Sequence, residues 1–155
     1  MKTSKMHPDD PIVLGFIRHS FVARVATRSR NGLPGLTPLW FVVEGGSFFM
    51  GTSQAALAAR NAAANPEIAI LLDGEAAGKS KYVLRVRGRA RVQAGFPTWR
   101  VLARLALKYY LAPAAARVEL AHALQWRLRQ RYYAQGRAAV IEVVPEKAEL
   151  LRRPD

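Results

Sequence analysis

The chain has 155 residues, no cysteine and a net charge of +13. Half of its residues are hydrophobic, and one domain of this length buries roughly 70% of its unfolded surface, so disorder is excluded, as are disulfides and thiolate chemistry. No apolar run approaches the roughly 20 residues of a membrane-spanning helix, and the polar stretch Met1 to Asp10 lacks an apolar signal core. The sequence therefore predicts a soluble, cytoplasmic, single-domain protein over 1–155, and its abundance of Ala and Arg points to a GC-rich bacterial genome.

Asp9-Asp10-Pro11 before Ile12-Val13-Leu14 predicts an acidic cap and a helix ending near His19. Phe21 to Arg28 reads as a strand. Asn31-Gly32 is a strong hairpin turn, since both residues tolerate positive φ. Leu36 to Val43 is the returning strand. Glu44-Gly45-Gly46 turns again into a third strand, Ser47 to Met50. Ser53 is read as the cap of a helix from Gln54 to Ala64, which holds seven alanines and is stopped by Asn65-Pro66. Glu67 to Leu72 is a strand and Asp73 to Ser80 a polar loop. Tyr82 to Val92 is a long alternating strand with Arg85, Arg87, Arg89 and Arg91 on one face. Gly88 in its middle predicts a bulge or a close backbone approach. Thr98 caps a helix from Trp99 to Leu111, and a second helix runs from about Ala114 to Ala134. Arg137 to Val144 is the last strand, stopped by Pro145. Six strands with short connections and no βαβ alternation predict an antiparallel barrel, mainly β, with a helical insertion at 96–135 before the last strand.

The positive charge is unevenly placed. Between Lys79 and Arg137 there are 14 basic residues and one acid, and the rest of the chain is balanced. Such a field attracts anions. The four-arginine strand face reads as a solvated face rather than a nucleic-acid site, because no aromatic residues interleave with it for base stacking. Arg100, Arg104 and Lys108 share a helical stripe with Leu107 and Leu111, near Trp99, Tyr109 and Tyr110. A lid or a dimer contact is the preferred reading there over a membrane-surface helix. His7, His19 and His122 show no metal-ligand spacing, and no acid/base dyad or nucleophile constellation is present.

One ordered set of motifs carries more. Ala23-Arg24-Val25-Ala26-Thr27, Asn31-Gly32-Leu33-Pro34, Thr37-Pro38-Leu39-Trp40-Phe41-Val42, Phe48-Phe49-Met50-Gly51-Thr52, Arg60-Asn61, Asn65-Pro66 and Val86-Arg87-Gly88-Arg89-Ala90 follow in this order. Together they resemble the flavin-binding split-barrel family that includes pyridoxamine 5'-phosphate oxidase. The resemblance covers Ile12 to Val92 and the last strand; the segment Phe96 to Gln135 matches no known pattern.

That resemblance implies a six-stranded split barrel, a homodimer with FMN or a deazaflavin at its interface, and oxidoreductase activity on a small molecule. It also implies that Thr37, Pro38, Leu39 and Trp40 lie along the isoalloxazine ring. Gly51, Thr52 and Ser53 then lie near the phosphate or ribityl chain, with Arg60 and Asn61 on the adjoining helix. Relatives carry Lys, often with Arg, on that helix; here Ala56 and Ala58 take those places. The expected replacement is Arg24, which interrupts an apolar strand and needs a partner if buried, or the basic second half. On the same reading Ala58→Lys restores the grip and tightens FMN. The alternative keeps the barrel without a flavin, as a protein holding another anion or haem.

Overall fold

The computed structural model describes residues 4–7, 9–78, 80–111 and 137–153. Eight strands and three helices follow in the order β1 (Ser4–Met6), α1 (Pro11–His19), β2 (Val22–Arg28), β3 (Pro34–Trp40), β4 (Val42–Glu44), β5 (Ser47–Ser53), α2 (Leu57–Ala64), β6 (Glu67–Leu72), β7 (Tyr82–Ala94), α3 (Trp99–Tyr109) and β8 (Ala138–Arg152). The second predicted helix, Ala114 to Ala134, lies outside the described residues.

All strand pairs are antiparallel, in the order β3-β2-β6-β7-β8-β5-β4, with β1 added beside β8. The two ends of this order, β3 and β4, are one continuous stretch of chain broken at Phe41. β3 pairs with β2 and β4 pairs with β5. The strand predicted over Leu36 to Val43 therefore changes partners at Phe41, and this change curls the sheet into a split barrel. The break and the short β1 account for the eight strands where six are predicted.

Alternation along the strands fills the barrel. Ala23, Val25, Phe41, Phe48, Met50, Ile70, Leu72, Leu84, Val86, Ile141 and Val143 form its core. α2 joins that core through Ala58, Ala59 and Ala62. Their small side chains let the helix backbone come close, and a Cβ at Gly35 would lie 3.0 Å from Asn61 and 3.3 Å from Leu57 in the same contact. A second, smaller cluster lies outside the barrel wall, where Val101, Leu105 and Tyr109 of α3 meet Phe21, Trp40, Val42 and Phe49.

Three local expectations are corrected. Ser53 does not cap α2. It is still paired with Ala138 in β5, and its hydroxyl accepts from the Ala55 N–H at 3.2 Å, within a turn. The helix starts after Ala56, with no side-chain cap. Pro145 does not stop the last strand. It faces Gly88 where the β7–β8 register shifts, and pairing continues to Arg152; a missing N–H is tolerated at such a bulge. α3 ends at Tyr109 rather than Leu111. The expectation for Gly88 holds, since a Cβ there would lie 2.2 Å from the Val144 carbonyl oxygen.

Candidate functional site

Residues directly opposite in an antiparallel pair share one face. On the outer face of β2 and β3, Val22 meets Trp40, Arg24 meets Pro38, Ala26 meets Leu36 and Arg28 meets Pro34. Across the next strands Ala26 meets Ala69, and Ala69 meets Arg87. The two short alanine side chains lie between taller neighbours. They help form the floor of an open trough of about 630 Å³, flanked by Arg28, Arg87, Lys147, Glu67 and Glu146. That volume falls within the range of small-ligand sites.

The cations around the trough outnumber the acids they touch. Glu149 on β8 is buried, 4% exposed. It takes two hydrogen bonds from Arg85, at 2.9 and 2.6 Å. Arg87 and Lys147 lie 3.7 and 3.3 Å from the same carboxylate. The Arg85 hydrogen bonds, against the cost of burial, lower the Glu149 pKa from its ordinary value, so one negative charge serves three cations. Arg28 pairs loosely with Glu67 at 3.5 Å.

β3 stands at one end of the hydrogen-bonded order, and among the described residues it pairs with β2 alone. Its second edge therefore carries main-chain donors and acceptors that no described strand pairs. Pro38 fits this edge position, because proline removes a ladder donor.

Of the predicted site residues, Arg24, Pro38 and Trp40 come together on the outer face. Thr37 and Leu39 alternate inward, and Leu39 packs against the barrel core. Arg24 is not buried. Its outward side chain pairs with Asp73, which also takes Arg153 at 3.1 Å. Gly51 lies on β5 before Thr52 and Ser53, which are buried at its end. Asn61 is buried and donates to Thr27 Oγ1 at 3.0 Å, which ties α2 to β2. Arg60 is exposed. Ala58 is 0% exposed in the core, so a lysine there would have to enter the barrel and could not restore a phosphate grip as expected. The predicted residues thus fall on an outer face, an inner wall and the α2 end.

Reasoning from the sequence missed Arg28, Lys147, Glu146, Glu149 and Asp73. The even, four-residue spacing of Arg24 and Arg28, which puts both on one face of the strand, was the available signal for Arg28. Lys147, Glu146 and Glu149 were hidden by the strand stop assumed at Pro145.

α3 borders the outer face at its Trp40 end. Tyr109 stacks on Trp40, with ring centroids 4.5 Å apart and planes 5° from parallel; Tyr110 meets the same indole edge-on at 6.4 Å. The Tyr109 hydroxyl accepts from the Phe41 N–H at 2.9 Å and donates to the Phe21 carbonyl at 2.6 Å. Lys108 donates to the Phe41 carbonyl at 3.2 Å, with its ammonium 3.6 Å from the Phe41 ring centre. Arg104 pairs with Glu44. Burial lowers the Lys108 pKa to about 8, opposed by Glu75, and burial raises that of Tyr109. Among the described residues no group of three His, Asp or Glu side chains could hold a metal ion, and no helix is long and apolar enough to cross a membrane.

A sequence profile of the pyridoxamine 5'-phosphate oxidase family matches residues 10–152. The chain belongs to this family. Among curated proteins none matches its sequence significantly. Solved structures of similar fold include HutZ, the haem storage protein of Vibrio cholerae, at 17% identity and TM-score 0.62, covering 92% of this chain and 93% of that one. An F420 reductase is 18% identical with TM-score 0.59, covering 86% and 92%. The conserved hypothetical protein Rv2991 of Mycobacterium tuberculosis is 16% identical with TM-score 0.63, covering 93% and 84%. At such identities the likeness establishes the split-barrel fold of the family.

Proposed function

We propose that this chain binds FMN or a deazaflavin and acts as an oxidoreductase on a small molecule, as a homodimer with the cofactor at the interface. The observation that carries the reading is β3, an edge strand whose outer face holds Pro38 and Trp40. Such a strand offers a flat ring an apolar wall and an edge that no described strand covers. A bound flavin would supply the hydride chemistry, and the protein its orientation. Trp40, fixed by its stack on Tyr109, would limit the tilt of the ring, and α3 would screen that end from water. The F420 reductase among the similar structures supports including the deazaflavin.

Titration with FMN and F420, followed by flavin fluorescence and absorbance, tests this. Saturable uptake of one of them is expected, together with a particle of twice the 17.2 kDa chain mass in light scattering. Uptake of neither overturns the reading. A second reading, haem binding without redox activity, draws on α2, whose buried positions are three alanines and Asn61 with no cation for a phosphate, and on the likeness to HutZ. A Soret band after hemin addition, without flavin uptake, would select it.

A further inference from the structure

We propose that the trough on the outer sheet face is this chain's anion site, and that Arg87, Lys147 and Arg28 hold the phosphate of its ligand there. Ala56 precedes α2, Ala58 on it is packed at 0% exposure, and its one cation, Arg60, is left at the surface. The trough has what α2 lacks. Arg87 and Lys147 share the single carboxylate of Glu149 with Arg85, which occupies it by two close hydrogen bonds. Their side chains remain 52% and 39% exposed and line the opening. Arg28 approaches from the opposite wall, on β2. An incoming phosphate would complete the charge balance with charge-assisted hydrogen bonds.

The bulge helps to shape this site. Gly88 leaves room for the β8 backbone, and the register shift leaves Glu146 as the extra residue between the Gly88–Pro145 and Arg87–Lys147 pairs. Glu146 and Glu67, the partner of Arg28, also line the trough and oppose an anion, so they select for ligands with enough charge to outweigh them. β3 runs from the trough at Pro34 to the aromatic end at Trp40, a span of about 20 Å for seven residues in a strand. A ligand with a flat ring and a phosphate tail can therefore use one face of one strand. The proposal rests on the flavin reading only for the identity of the group that bears the phosphate.

The test separates the two. The full chain is titrated calorimetrically with inorganic pyrophosphate, and by fluorescence with FMN and with riboflavin, which lacks the phosphate. The wild type is expected to bind pyrophosphate. The double variant Arg87→Gln/Lys147→Gln should bind it about ten-fold or more weakly and lose any preference for FMN over riboflavin. Glu146→Gln should tighten pyrophosphate binding, a gain that misfolding cannot produce. Pyrophosphate binding with riboflavin and FMN both rejected would support the anion site and sink the flavin. FMN binding that the double variant leaves unchanged, or weakening by Arg60→Gln alone, would overturn the trough. So would a wild type that takes no pyrophosphate.

Discussion

Tyr109 and Lys108 do for Phe41 what a neighbouring strand does for other residues. Where the chain leaves β2 for β5, Phe41 is buried at 0% exposure, and its N–H and C=O are met by side chains of α3. A buried main-chain group left without a partner costs about 1–3 kcal/mol. Tyr109→Phe keeps the ring stack on Trp40 but strips the Phe41 N–H and the Phe21 carbonyl of their partner. It is expected to lower stability by about 1–3 kcal/mol, read as a shift in the urea midpoint at constant slope. The same pair predicts an unusual pH profile. Lys108 titrates near 8 in the folded chain and near 10.5 when unfolded, so between these values the unfolded state binds more protons and stability rises with pH. Tyr109 acts in reverse. Its folded pKa is raised above the ordinary 10.0, so above pH 10 the unfolded state has lost a proton that the folded state keeps, and stability falls. Denaturation midpoints should therefore climb from pH 8 to about 10 and decline beyond it. Lys108→Met should remove the climb and leave the decline.

Elements were legible from the sequence where one residue type decides the local geometry. The Asn31-Gly32 turn, the Gly45-Gly46 turn and the Asp10 cap of α1 lie where they are expected, and the Asp10 carboxylate accepts from the Ile12 N–H at 2.8 Å. Two ends were misread because a neighbouring element decides them. Ser53 has the side chain of a helix cap, yet its pairing with Ala138 keeps it in β5. Pro145 has the backbone of a strand stop, yet it lies at a bulge, and β7 carries β8 through it. The bulge itself gives a sharp prediction. In Gly88→Ala the new methyl would meet Val144 main chain, which cannot rotate away. The variant should lose stability by more than the 1–3 kcal/mol of ordinary overpacking, measured by thermal melting. The neighbouring Ala90→Gly, which removes a methyl in place of adding one, should cost about 1 kcal/mol through strand propensity and lost burial.

The barrel and its family were legible because turns and ordered motifs are local in sequence. The grouping of the site was not, because it depends on register across four strands. Only pairing shows that Ala26 faces Ala69 and that Ala69 faces Arg87. Charge shows the same limit. The sequence locates the excess positive charge between Lys79 and Arg137, but only the fold shows that part of it converges on one acid, Glu149. The break at Phe41 also has a kinetic side. The residue that satisfies its amide is 68 positions further along the chain, so the seam cannot be finished until α3 has arrived. Contacts of such long sequence separation slow folding, and here the waiting partner is a helix end in place of a strand. The Phe41 amide should thus serve as a reporter of that last step. In native-state hydrogen exchange it should open with the undocking of α3, below the energy of global unfolding. Tyr109→Phe should speed its exchange while the amides of β6 and β7 keep their protection relative to global unfolding.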